Sequence, residues 1–121
     1  VNQGTGHVVL CAGTLAQEYE KLGGQVTYCG KPYPEIYEQA HELMGRPDKN
    51  RMVALGDSLR TDIAGANGFG IAGIFNTTGM HREELHMRDI AEADPEKLAA
   101  HIGQAPEEHK PYGIISGFLW D

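Results

Sequence analysis

The chain is short of positive charge: ten Lys and Arg stand against seventeen Asp and Glu among 121 residues, a formal net charge of -7. Affinity for a nucleic-acid backbone comes largely from Lys and Arg displacing counterions, so this balance speaks against a nucleic-acid partner. No run approaches the roughly 18–20 unbroken apolar residues of a membrane span, and the opening VNQGTGH has neither the basic nor the apolar block of a signal peptide. No membrane association is expected, and a cytoplasmic location is favoured. Cysteine is scarce as well. Cys11 and Cys29 lie eighteen residues apart in apolar surroundings, without C-x-x-C spacing, and are expected to be buried small hydrophobes. Their separation in sequence leaves their redox state open. Internal repeats and low-complexity tracts are also lacking.

What is present suffices for one domain over residues 1–121, with 40% hydrophobic residues available for a core. HVVLCAG (7–13) has the pattern of a short strand. Thr14, three residues before Gln17, suggests a capping box for a helix whose Leu15, Tyr19 and Leu22 share a face. QVTYCG (25–30) is a second strand candidate. A clearer helix follows in PEIYEQAHELM, with Pro34 in its first turn and Ile36, Ala40, Leu43 and Met44 as the expected buried stripe. RMVAL (51–55) and IAGIFN (71–76) have the apolar runs of strands covered on both faces, separated by the small-residue helix TDIAGANGFG. REELHMRDIAEA and PEKLAAHIG carry helical signals, the second with Asp94 as N-cap and Pro95 at the first helical position. An extended apolar tail, YGIISGFLW, closes the chain. Strands alternating with helices predict an α/β fold, a Rossmann-like, mainly parallel sheet flanked by helices.

In open α/β sheets ligands collect at the carboxyl ends of the strands. GKP (30–32), GDSLRTD (56–62) and NTTG (76–79) each follow a predicted strand and deliver residues to that edge. Thr78 is the phosphate-binding candidate of the last. Asp57 follows an apolar run directly, and Asp62 falls in the first turn of a helix capped by Ser58 or Thr61. On the residues alone, Asp57 as a turn residue and Asp62 as a helix-start residue remain a sufficient account. Two carboxylates converging on one crevice repel each other, however, unless a cation or proton intervenes. Mg²⁺ suits such a place, being a hard ion commonly held by one or two carboxylates, water and substrate phosphate. Lys31, a compact positive charge at a neighbouring strand end, completes a phosphate-binding combination with the helix N-terminus.

GKPYPEIY followed by ALGDSLRTDIAGANGFGI resembles the third and fourth motifs of the haloacid dehalogenase (HAD) superfamily of phosphatases, in its class IIA branch of sugar-phosphate and nitrophenylphosphatase-like enzymes. The likeness covers about residues 11–79, and the upstream AGTLAQEYEKLGGQVTYCGKP is similar to the stretch where that branch leaves its cap and re-enters the core. It implies that residues 1–28 are a re-entry segment. It implies that Lys31 steadies the phosphorylated intermediate, that Asp57 coordinates Mg²⁺ and that Asp62 supports the metal shell as a second metal carboxylate. Ser58 would assist in phosphate binding through its hydroxyl or backbone N–H.

One part of that pattern is missing. Enzymes of the family attack phosphorus with the first Asp of a D-x-D segment, while the second acts as acid and base. The six aspartates here, Asp48, Asp57, Asp62, Asp89, Asp94 and Asp121, are never two apart. The resemblance is therefore to the C-terminal part of a longer phosphohydrolase acting on a small phosphorylated metabolite. The nucleophile and most of the cap would belong to a missing N-terminal part, and the isolated chain would be inactive. A non-catalytic phosphate- or metal-binding module with regulatory or interaction duties is the alternative. The missing neighbour would leave the RMVAL strand as an open edge, and with the apolar tail this makes homo-oligomer formation plausible.

Other signals carry less. GFGIAG (68–73) matches G-x-G-x-x-G, but it ends a helix and enters a strand, the reverse of the dinucleotide fingerprint. His81 and His86 lack zinc-ligand spacing, and they are expected at the surface with His7, His41, His101 and His109. Tyr33 and Tyr37 are expected to pack rather than to touch substrate.

Overall fold

The computed structural model describes residues 9–81, 84–85 and 93–118. Its centre is a parallel three-stranded sheet in the order β1 (Val53–Gly56), β2 (Ala72–Asn76), β3 (Gly113–Ile115). Val53 lies opposite Ala72, and Ile74 opposite Gly113. Two helices precede the sheet, α1 (Ala12–Lys21) and α2 (Pro34–Leu43). A π-type turn over Leu59–Ile63 and the short α3 (Ala64–Phe69) carry the chain from β1 to β2, and α4 (Pro95–Gly103) lies between β2 and β3. The α/β class with helices flanking a parallel sheet is thus as expected, and the closing tail joins the sheet as β3.

Small residues set the approach of the crossover to the sheet. Ala66 is fully buried, and a Cβ at Gly73 would press on Ile63 and Ala66. Gly70, at φ 82°, ends α3 in the left-handed conformation that a residue without Cβ adopts at little cost. Leu59, Ile63, Phe75, Leu85 and Ala93 form one buried cluster, with Leu98 and Ile102 of α4 packed against it. Phe75 is fully buried there, and such a side chain stabilises the fold by about 1.5–3 kcal/mol. Ala66, Phe69 and Ile71 form a second cluster. Asp94 caps α4 as its sequence predicts, accepting from the N–H groups of Glu96 at 3.0 Å and Lys97 at 3.2 Å, with Pro95 in the first turn.

Several expectations are overturned. Residues 9–11 and 25–30 form no strand, because neither segment finds a sheet neighbour among the described residues. Residues 7–8 lie outside them. The N-cap of α1 is Cys11, with no side-chain capping bond, and Thr14 is inside the helix. Leu15, Tyr19 and Leu22 are 70, 56 and 86% exposed, so the apolar face of α1 has no cover among the described residues.

On α2 the predicted stripe is also exposed, Leu43 at 84% and Met44 at 56%, and Tyr37 and His41 turn inward instead. Phe69 decides this. Its ring stacks on Tyr37 with centroids 5.7 Å apart, meets His41 edge-on at 5.6 Å, and carries the Lys49 ammonium 3.5 Å from its centroid. His41 is therefore buried, not a surface histidine, with Nε2 2.8 Å from the Pro47 carbonyl. β1 is covered on one face only, with Val53 and Leu55 exposed at the open edge of the sheet. Cys29 is exposed and Cys11 half-buried, and both are free thiols. The helix expected over REELHMRDIAEA lies for the most part outside the described residues. No helix among the described residues is long and apolar enough to cross a membrane.

Candidate active site

β1 ends at Gly56, and the next six residues build the site. Ser58 caps the turn that follows, its Oγ accepting from Thr61 N–H at 3.3 Å. The π turn then carries the N–H groups of Asp62 and Ile63 onto one acceptor, the Ser58 carbonyl, at 3.0 and 3.1 Å. Single π turns of this kind are frequent at functional sites. The consequence is that Asp62, five residues on, is brought back to the strand end. Its Oδ2 accepts from the amides of Asp57 at 3.2 Å and Ser58 at 3.1 Å. Gly56 makes room for this, since a Cβ there would fall on the Asp62 carboxylate.

The other oxygen of Asp62, Oδ1, is 2.5 Å from Lys31 Nζ. The Lys31 side chain is 54% exposed and that of Asp62 10%. Asp62 is thus a buried carboxylate with both oxygens engaged, and Lys31 is the solvent-facing half of the pair. The hydrogen bond to Asp62 raises the Lys31 pKa further above its ordinary value, against the opposing effect of burial, so the ammonium stays charged. Lys31 reaches this position from an irregular segment rather than from the strand expected before it. The Lys31–Pro32 peptide is cis.

Asp57 and Asp62 share the same turn but not the same partners. Asp57 is half-buried, and its Oδ2 accepts from Met80 N–H at 2.9 Å. The loop after β2 therefore reaches the site through Gly79 and Met80. Gly79 lies against Asp57 so closely that a Cβ there would coincide with the carboxylate. Thr78 is turned aside: its N–H and Oγ1 both donate to Asn76 Oδ1, at 3.2 and 2.9 Å. Thr77 is fully buried and bonds the Ile115 carbonyl, tying this loop to β3. The structure accordingly brings Lys31, Asp57, Ser58 and Asp62 together and leaves Thr78 at the margin.

Sequence reasoning missed two contributors. The Met80 amide is invisible to it, because any non-proline residue offers that donor. Tyr37 packs, as expected, but its hydroxyl also donates to the Asp62 carbonyl at 3.2 Å, bracing the π turn from α2. Its position one turn into the helix after GKP was the only available signal.

The comparisons with known proteins agree with the fold. A HAD-hydrolase-like family model matches residues 28–105. A haloacid dehalogenase-like hydrolase of Brucella suis 1330 is 30% identical, with TM-score 0.58, over 90% of this chain and 37% of its own. A 4-nitrophenylphosphatase of Thermotoga maritima is 27% identical, with TM-score 0.58, over 85% of this chain and 33% of its own. A glycerol phosphate phosphatase of Mycobacterium tuberculosis, in complex with magnesium, shares the fold at 22% identity and TM-score 0.57, over 84% of this chain and 25% of its own. No curated protein matches the chain. The parallel sheet flanked by helices is a Rossmann-like α/β core. The chain belongs to the HAD-like hydrolases, and matches a fragment of the class IIA type. It spans no more than 37% of the length of any of these three structures.

Proposed function

We propose that the protein containing this chain is a Mg²⁺-dependent phosphomonoesterase acting on a small phosphorylated metabolite in the cytoplasm. Residues 1–121 would form its C-terminal domain, entered from a cap through residues 1–28, and would supply the charge-stabilising side of the site. The observation that carries this reading is the Lys31–Asp62 pair at 2.5 Å, braced on the amides of Asp57 and Ser58. It fixes an ammonium at the strand ends where phosphoryl oxygens would gather. A cation held in place before the reaction begins stabilises developing negative charge without reorganisation.

The donor set suits Mg²⁺ in kind: hard carboxylate oxygens at a strand end, with room for water and substrate. Because the oxygens of Asp62 are taken by Lys31 and two amides, Asp57 would be the carboxylate that holds the ion. Asp62 acts by holding Lys31 and the turn. When bound, the ion would offset the charge of the phosphoryl group. Ser58 commits its N–H to Asp62 and its oxygen lone pair to Thr61, which leaves its O–H for a phosphoryl oxygen. Thr78 would have to leave Asn76 to do the same. No aspartate pair in the 121 residues has D-x-D spacing, so the nucleophile belongs to other polypeptide in this reading.

In the full-length protein Asp57→Asn is expected to abolish Mg²⁺-supported hydrolysis of a generic phosphomonoester, and unchanged turnover would remove Asp57 from the site. The 121-residue chain alone is expected to hydrolyse none. A D-x-D-G segment in frame upstream of Val1 would agree with the enzyme, whereas a true start at Val1 would favour the non-catalytic module.

A further inference from the structure

His81, the residue after Met80, meets Glu84 and His101. Each offers one ligand atom, and these atoms lie within 4.8 Å of one another. Glu84 Oε2 is 2.8 Å from His81 Nδ1 and 3.8 Å from His101 Nδ1, and the two imidazole centroids are 4.4 Å apart. The rings rest on Phe75, which is fully buried, at centroid distances of 6.0 and 6.3 Å. Their side chains are only 19 and 24% exposed, so their orientation is fixed by packing, while the Glu84 side chain is 62% exposed and free to adjust.

An ordinary i,i+3 ion pair accounts for His81 and Glu84. It does not account for His101. Nε2 of that ring is buried without a hydrogen-bond partner, and its Nδ1 stands at 3.8 Å from the carboxylate, beyond hydrogen-bond reach. The two imidazoles lie tilted at 55° to each other over the apolar floor of Phe75. Burial, and then the neighbouring His81, push the His101 pKa down, which keeps the ring in the neutral form that ligates metal.

We propose that His81, Glu84 and His101 bind a borderline transition-metal ion, Zn²⁺ foremost, at a site separate from the Asp57–Asp62 carboxylates. Two imidazoles and one carboxylate suit Zn²⁺ and its neighbours, whereas Mg²⁺ prefers oxygen alone. With metal–ligand bonds of about 2.0–2.1 Å, tetrahedral ligand atoms stand about 3.3 Å apart. The Glu84 distances of 2.8 and 3.8 Å straddle that value and all three ligand atoms lie within 4.8 Å of one another, so modest side-chain movement closes the site. Three protein ligands leave a fourth position for water or an anion. The ion would tie the segment after β2 to the last turn of α4, and thereby stabilise the fold.

The test uses the full-length protein, stripped of metal by chelation and returned to excess Mg²⁺, titrated with Zn²⁺ and with Co²⁺ as a spectroscopic probe. One equivalent of Zn²⁺ is expected to bind and to raise the thermal midpoint. Co²⁺ is expected to give the visible bands of a four-coordinate nitrogen and oxygen site. His81→Ala and His101→Ala should each weaken Zn²⁺ binding by at least about tenfold. Glu84→Gln, at an exposed side chain, should weaken it too, and serves should either histidine variant fail to fold. Asp57→Asn should bind Zn²⁺ like the wild type, which separates this site from the phosphatase reading. No saturable Zn²⁺ binding under excess Mg²⁺, or affinity unchanged in Glu84→Gln and the folded histidine variants, would overturn the proposal.

Discussion

Lys31 and Asp62 are thirty-one residues apart and meet at 2.5 Å, and the carboxylate that receives the ammonium is the same one that gathers the amides of Asp57 and Ser58. One buried side chain thus fixes both the shape of the turn after β1 and the position of a solvent-facing cation. The turn does not depend on the lysine, since two backbone donors hold Asp62 without it.

Lys31→Met in the full-length protein should therefore separate activity from stability. Loss of a preorganised cation is expected to lower kcat by about 10²–10³-fold. Because Lys31 is half exposed, the pair contributes less than about 1 kcal/mol, and the urea midpoint should barely move. Turnover close to wild type would exclude Lys31 from charge stabilisation.

Asp62→Ala should do the reverse in part, unfolding the turn as well as ending activity. The buried amide of Ser58 and the half-buried amide of Asp57 would lose their acceptor, at a cost of about 2–4 kcal/mol. Asp62→Asn keeps one oxygen for those amides and should unfold at an intermediate denaturant concentration. Equal midpoints for wild type and Asp62→Ala would contradict the bracing role.

Gly79→Ala places a methyl group where the Asp57 carboxylate now lies. The loop must shift or Asp57 must turn away from the Met80 amide, and a displacement of about 1 Å can cost about a hundredfold in rate. Steady-state kinetics as a function of Mg²⁺ concentration should show the loss in Mg²⁺-dependent turnover.

The open edge of β1 carries Val53 at 66% and Leu55 at 42% exposure. Unpaired strand edges with apolar side chains pair with other chains. Light scattering of the 121-residue chain should give a mass that rises with concentration, and Val53→Lys should shift it toward the monomer. A monomer at all concentrations would remove the edge as a self-association surface.

Much of this was determined by the sequence alone, wherever the structure closes within a few residues. Asp94 and Pro95 open α4, Gly70 ends α3, and Ser58 caps the turn that carries Asp62, because caps and turns satisfy backbone groups from side chains close in the chain. The GKP and GD-x-x-x-TD spacings are likewise local, and they single out Lys31, Asp57 and Asp62. Tertiary structure decided what depends on distant surfaces. Residues 9–11 and 25–30 have strand-like patterns but no sheet neighbour among the described residues, and a strand exists only through its partner. The face of α2 was set by the ring of Phe69, which drew Tyr37 and His41 inward and left Leu43 and Met44 outside. His81 and His101 meet only because β2 and α4 share a core around Phe75. Local hydrogen bonding is written in adjacent residues, whereas the choice of face and of neighbour rests on packing between segments whose separation in sequence carries no distance.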